Sequence, residues 1–195
     1  MTQATGATGA SICKTRAGEK AVMALYDQML ARWPVPHTTA VLPTRHGDTF
    51  VIASGPVGAP PVVLLHGTAS NALAWMGDIG EYSKDLRVFA VDLPGEPGRS
   101  SHNRPPWMGP AYAEWMEDLL GGLEIQQPAL VGISQGGWTA LKFATAQPQR
   151  VARLVLLAPA GVTTARASFL LKAIPLSLLG RRGGEAINRI TFGKQ

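Results

Sequence analysis

The chain has a single cysteine, Cys13, among 195 residues. That excludes an internal disulfide framework and says nothing of redox compartment. Residues 1–11 have neither a basic start nor a long apolar run, so they do not read as a signal peptide. Near the C-terminus the longest apolar stretch, Phe169 to Leu179, is interrupted by Lys172 and Pro175 and is too short to span a bilayer. No transmembrane segment is expected, and a soluble, cytoplasmic protein is the default. There is no metal-ligand spacing, no phosphate-cradling glycine loop and no internal repeat, so neither a metal nor a cofactor is expected. A spread of positive charge is also lacking. The net charge is +5, yet residues 1–165 hold 12 Lys/Arg against 12 Asp/Glu, and six basic side chains against Glu185 alone fall in residues 166–195. A balanced body with a basic end is not the phosphate-tracking stripe of a nucleic-acid binder. Such an end faces solvent or acidic groups outside the chain, or an anionic membrane or polymer.

The length fits one domain, and 46% hydrophobic residues suffices for a sizeable core. Residues 1–13 read as a disordered N-terminus, 14–39 as a helix and linker, 40–161 as the main body and 162–195 as a separate insertion. Val22, Leu25, Tyr26, Met29, Leu30 and Trp33 recur at helical steps from about Gly18 to Trp33, and Pro34 and Pro36 end the run. Short strands are predicted near Ala40–Leu42 and Thr49–Ala53, with His46-Gly47-Asp48 as the turn chemistry between them. Val62-Val63-Leu64-Leu65 is a continuous apolar run of the kind buried on both faces of a parallel sheet. A regular alternation follows: helix 72–83, strand 87–91, helix 111–123, strand 129–133, helix 135–146 and strand 151–157. It predicts an α/β fold, a mostly parallel sheet with helices on both faces, with its chemistry at the carboxyl ends of the strands. Trp75, Trp107, Trp115 and Trp138 are expected in the core or a pocket wall.

Three strand ends carry suggestive residues: His66-Gly67-Thr68, Asp92 and Ser134. The last stands in Gly132-Ile133-Ser134-Gln135-Gly136, a Gly-x-Ser-x-Gly pattern that is weak alone in a chain with 22 glycines. Context strengthens it, because a strand precedes and a helix follows, as a nucleophile turn requires. Side chains at Gly132 or Gly136 would crowd a bend that holds Ser134 in an unfavourable conformation. The bland alternative is a serine in an ordinary glycine-rich turn. At the start of a helix, the backbone N–H of Gln135 can donate to an oxyanion, and the N–H of Thr68 is the candidate second donor. His66 follows a buried strand directly, which favours a loop-fixing role for its imidazole over a catalytic one.

With Leu64-Leu65-His66-Gly67-Thr68-Ala69-Ser70, Val91-Asp92-Leu93-Pro94-Gly95-Glu96-Pro97-Gly98-Arg99-Ser100, Gly132-Ile133-Ser134-Gln135-Gly136-Gly137 and Leu154-Val155-Leu156-Leu157-Ala158-Pro159-Ala160-Gly161 in this order, the chain resembles α/β-hydrolase fold proteins. Within them it resembles the carboxylesterase-type serine hydrolases, over about residues 40 to 161. The resemblance implies Ser134 as nucleophile, the Thr68 and Gln135 amides as oxyanion hole, His66, Gly67, Gly132 and Gly136 in support, and a small-molecule ester as substrate. It implies a structural role for the loop aspartate Asp92, and a serine at position 134 excludes the aspartate nucleophile of the dehalogenases and epoxide hydrolases.

In that family the order is nucleophile, acid, histidine. No histidine follows Ser134, and Glu185 is the one acidic residue in the 61 positions after it. His37, His46, His66 and His102 all precede the serine. Glu185 lies in what resembles the start of a cap insertion, so no triad acid or base is assigned in this chain. It reads as the first two-thirds of such an enzyme, lacking C-terminal strands and helices. His102, on the loop after strand 87–91, is the candidate substitute base, poorly oriented without a fixed acid partner. Phe169–Leu179 is expected either to roof an acyl pocket or to pack as an ordinary amphipathic helix. Strand 151–157 would be left as an apolar sheet edge, a surface for self-association. Three functions are therefore weighed: a serine esterase, a non-catalytic derivative binding a small apolar ligand or a protein partner, and a cofactor-free oxidative or carbon–carbon-cleaving relative.

Overall fold

A computed structural model describes residues 13–162, 175–176 and 179–192. The expectation of disorder in residues 1–13 falls almost wholly outside them, as does most of Phe169–Leu179. The chain divides into two compact units, Met1–Ala160 and Gly161–Gln195.

Helix α1 (Arg16–Leu30) begins where Thr15 accepts the Gly18 N–H at 3.0 Å. It stops earlier than the apolar spacing predicts. Arg32 and Trp33 continue it only as turns, and the Trp33 indole N–H is drawn to the Ser54 hydroxyl at 3.0 Å. Strands β1 (His37–Leu42) and β2 (Thr49–Ser54) form an antiparallel hairpin. Then come β3 (Pro61–Leu65), β4 (Arg87–Val91), β5 (Ala129–Ile133) and β6 (Arg153–Leu157). The six strands lie in the order β1-β2-β4-β3-β5-β6, with the pairs among β3, β4, β5 and β6 all parallel. This is the mostly parallel α/β sheet that the strand–helix alternation predicts.

The helix predicted over 72–83 is two pieces, a 3-10 turn at Ala72–Trp75 and α2 (Ile79–Asp85). Asn71 caps the first by accepting the Leu73 N–H, and Gly77 lies in the break between them. Helices α3 (Ala111–Gly122) and α4 (Gln135–Ala146) complete the first unit, and α5 (Gly180–Phe192) lies in the second.

Strand alternation explains the continuous apolar runs. On β3, Val63 and Leu65 face α3 and α4, packing with Tyr112, Trp115, Met116, Leu119 and Phe143. Val62 and Leu64 face the other way, packing with Tyr26, Trp33, Leu73, Trp75 and Ile79. Both faces are covered, so no position on β3 is left for a polar side chain. Trp75 and Trp115 belong to these cores, whereas Trp107 is 40% exposed and leans on Trp138 with ring centroids 4.7 Å apart and planes inclined at 59°.

Candidate active site

Ser134 occupies the junction of β5 and α4 with φ 51° and ψ −109°. A non-glycine residue there carries about 1–3 kcal/mol of backbone strain. Three hydrogen bonds hold it in place. The Ser134 N–H donates to the Leu157 carbonyl at the end of β6 (3.0 Å), and the Ser134 carbonyl accepts from Trp138 (3.0 Å) and Ala160 (2.9 Å). Glycine is forced on both sides by lack of space. A Cβ at Gly132 would overlap the Gly136 carbonyl, and one at Gly136 would overlap the carbonyls of Leu65 and His66. Gly67 is different: its Cβ would stand 3.5 Å from the Ser134 Cβ, an ordinary contact, so the loop after β3 runs directly beside the serine.

That loop and the start of α4 are joined by side chains. Thr68 Oγ1 donates to Gln135 Oε1 at 2.8 Å, in a site where Gln135 is fully buried. Neither the Thr68 N–H nor the Gln135 N–H has an acceptor among the described residues. Two adjacent segments therefore carry backbone donors with spare capacity, one of them at a helix N-terminus, where the aligned peptide dipoles favour negative charge.

Loop 66–72 is tied to loop 92–99 by four bonds. His66, buried, accepts the Leu93 N–H on Nε2 (2.9 Å) and so carries its proton on Nδ1, which donates to the Gly67 carbonyl (2.8 Å). Burial lowers its pKa to about 4, opposed by the Gly67 bond. With both ring nitrogens committed, this imidazole has no lone pair for the Ser134 proton. Asp92 Oδ1 accepts the Ala72 N–H and its Oδ2 the Arg99 N–H, each at 2.7 Å. Burial raises the Asp92 pKa, and the two N–H donors pull it back. Gly98 is obligatory here, because a Cβ would run into that carboxylate. Asn71 Nδ2 donates to the Pro97 carbonyl (2.8 Å).

The fourth tie is one that sequence reasoning did not single out. Glu96, 1% exposed, accepts the Ala69 N–H on Oε2 at 2.7 Å, and its Oε1 lies 2.9 Å from Arg104 Nη2 as an ion pair. Ala69 has φ 55°, a left-handed conformation costing a non-glycine residue about 1–2 kcal/mol. A hydrogen bond to a charged acceptor contributes about 1.5–3 kcal/mol, enough to offset that strain. The one available signal was an acidic residue inside the Gly/Pro loop Gly95-Glu96-Pro97-Gly98.

The other histidines point elsewhere. His46 Nε2 meets Glu114 at 3.1 Å, His37 Nδ1 lies 3.2 Å from the Val35 carbonyl, and His102 Nδ1 faces Glu19 of α1 at 3.7 Å. No histidine hydrogen-bonds Ser134 among the described residues. Glu185 lies on α5, in the second unit. Among the described residues there is no group of three or more His, Cys, Asp or Glu able to hold a metal, and no helix long and apolar enough to cross a membrane.

The chain is similar in sequence and fold to known proteins. Residues 62–194 match the alpha/beta hydrolase family. Two proteins of Bacillus subtilis (strain 168), described as the uncharacterized carboxylesterase nap and the carboxylesterase YbfK, are each 36% identical over 135 residues. That region is 69% of this chain and 45% and 46% of theirs, so the chain spans about half the length of these relatives. The crystal structure of naproxen esterase (carboxylesterase NP) from Bacillus subtilis superposes with a TM-score of 0.77 and 32% identity, covering 89% of this chain and 60% of that one.

Proposed function

The chain belongs to the alpha/beta hydrolase family, and from that membership we propose that it carries the nucleophile and oxyanion hole of a serine hydrolase acting on carboxylic esters. The observation that carries this reading is Ser134, strained at φ 51° between β5 and α4 and lying against the loop that holds Thr68. Its relatives described as carboxylesterases support the substrate class. In the reaction, Ser134 Oγ attacks the ester carbonyl and loses its proton. The carbonyl oxygen becomes an oxyanion held by the Thr68 and Gln135 N–H groups. Collapse expels the alcohol, which takes a proton, and water then releases the acid from the acyl-serine. His66, Gly67, Gly132 and Gly136 shape the site without touching the reacting bond. Residues 40–161 form the hydrolase core in this reading, 14–39 an N-terminal helix and linker, and 162–195 the start of a cap insertion.

The serine proton needs an acceptor, and no imidazole of this chain is placed to take it. Loss of a triad member removes about four to six orders of magnitude and leaves about 10³–10⁴ over water from binding and the oxyanion hole. Slow acylation is therefore the expectation for these residues by themselves. The test is labelling by an alkyl fluorophosphonate, followed by mass spectrometry. We expect slow modification at Ser134 that disappears in Ser134→Ala; no modification at Ser134 under forcing probe concentration overturns the reading.

A second reading has its own support in the absence, among the described residues, of a side-chain base hydrogen-bonded to Ser134, and in the half-exposed β6. In it the chain is a non-catalytic relative that binds a small apolar ligand or a partner, including a second copy through the β6 edge. Ser134-dependent hydrolysis of a p-nitrophenyl ester removes this reading. A concentration-dependent rise in mass, abolished by a charge at Val155, supports it. The cytoplasm is the compartment in which we place the protein, with a small-molecule ester as partner.

A further inference from the structure

The oxyanion loop is built around a strained residue whose amide donates to a buried carboxylate from a different loop. We propose that Glu96 is the positioning residue of the oxyanion hole, holding the Thr68 N–H in place through the Ala69 N–H; this rests on the serine-hydrolase reading above. Three observations converge on it. Ala69 adjoins Thr68, so the peptide plane that Glu96 fixes is the one next to the donor. Ala69 sits at φ 55°, a conformation an alanine leaves when nothing holds it. The Glu96 carboxylate is buried and faces a cation, since Arg104 Nη2 stands 2.9 Å from Oε1 as an ion pair without a hydrogen bond and donates to the Gly95 carbonyl at 2.7 Å. A carboxylate confined in this way is a fixed acceptor and not a swinging side chain.

The geometry also separates Glu96 from its neighbours. His66 and Asp92 tie down the two ends of the loop, at residues 66–67 and 72. Thr68 Oγ1 reaches across to Gln135 and fixes the side chain, not the amide. Glu96 alone, among the described residues, acts on the backbone between them. When its oxygen is withdrawn, the loop keeps its ends and its place in the fold while the Thr68–Ala69 peptide turns.

The test reads the loop and the serine separately in the intact chain. Amide hydrogen exchange at Thr68 and Ala69 is measured alongside the rate of Ser134 labelling by a fluorophosphonate, in the wild type, Glu96→Ala and Glu96→Gln. Glu96→Ala is expected to speed exchange at Ala69 and to slow labelling by about tenfold or more, with exchange in β3 and α4 unchanged. Glu96→Gln keeps an acceptor oxygen for the Ala69 N–H but sets an amide NH2 against Arg104, so it is expected to lie between wild type and Glu96→Ala on both readouts. If Glu96→Ala fails to fold, Glu96→Asp, which draws the oxygen back by one methylene, takes its place in the comparison. Labelling at the wild-type rate in the Ala or Asp variant overturns the proposal, whether or not Ala69 exchange rises. Exchange rising equally in β3 and α4 overturns it too, since a loss of overall stability then explains the effect. No labelling of the wild type sinks the serine-hydrolase reading and this proposal with it, whereas labelling at one rate throughout sinks this proposal alone.

Discussion

β3 and β6 lie on opposite sides of β5, both parallel to it, and their sequences are close cousins: Pro61-Val62-Val63-Leu64-Leu65 and Arg153-Leu154-Val155-Leu156-Leu157. Their fates differ. Val63, Leu64 and Leu65 are fully buried, whereas Val155 and Leu157 remain 45% and 43% exposed. On one face β6 is satisfied, with Leu154 and Leu156 packed against the core under α3 and α4. On the other face, the described residues of the first unit leave it uncovered. β3 gains its second face from α1 and the Ala72–Trp75 turn, and a second hydrogen-bonded neighbour from β4. An apolar run states that a strand must be covered; neighbours elsewhere in the chain decide whether it is. Ser134 stands between the two, pressed by the loop after β3 and hydrogen-bonded to the last residue of β6.

The largest expected effect tests this contrast directly. Leu65→Ala removes a buried side chain and is expected to cost about 3 kcal/mol in urea unfolding, whereas Leu157→Ala costs less than about 1 kcal/mol because its side chain is already half in water. Equal losses at the two positions would break the comparison, showing that β6 is as well buried as β3.

The second effect concerns the end of β3. His66 binds a proton near pH 4 in the folded chain and near 6.5 when unfolded, so between these values the unfolded state holds more protons. Its contribution is therefore complete above about pH 6.5 and is lost as the pH falls towards 4, by up to about 3 kcal/mol. Asp92, whose pKa burial raises, titrates with the opposite sign, so the wild type shows the difference of the two. His66→Gln keeps an acceptor for the Leu93 N–H and no longer titrates. Urea midpoints at pH 7 and pH 5 should fall less in His66→Gln than in the wild type. An equal fall in both would mean that His66 is not the buried neutral group described here.

The smallest effect lies at the junction itself. Ser134→Gly relieves the left-handed strain and should raise stability by about 1 kcal/mol while abolishing fluorophosphonate labelling. A stability loss of that size would show instead that the serine side chain, and not its backbone, holds the turn.

Much of this site was legible in the chain. Gly132 and Gly136 mark a bend where no Cβ fits, and Ser134 between a predicted strand and helix is the outward residue of that bend. His66 directly after a buried strand reads as a loop anchor, and its two ring hydrogen bonds are of that kind. Other features had no local signature. The helix predicted over 72–83 is broken at residues 76–78, where Gly77 lies, while the apolar spacing is the same for a broken and an unbroken helix. Glu96 looks like a solvated acid in a Gly/Pro loop, and only the approach of Ala69 and Arg104 from other parts of the chain buries it. His102 lies on a loop beside the site in sequence, yet its ring turns to Glu19 on α1.

By itself, then, the sequence determined most of the elements, the apolar runs that ask for cover and the strand–turn–helix around Ser134, because apolar period, glycine and strand–helix succession act over a few residues. Only the tertiary structure decided which of two similar strands is covered, which acid holds the Ala69 N–H and where each imidazole points. Those outcomes depend on groups tens of residues apart meeting at hydrogen-bond distance.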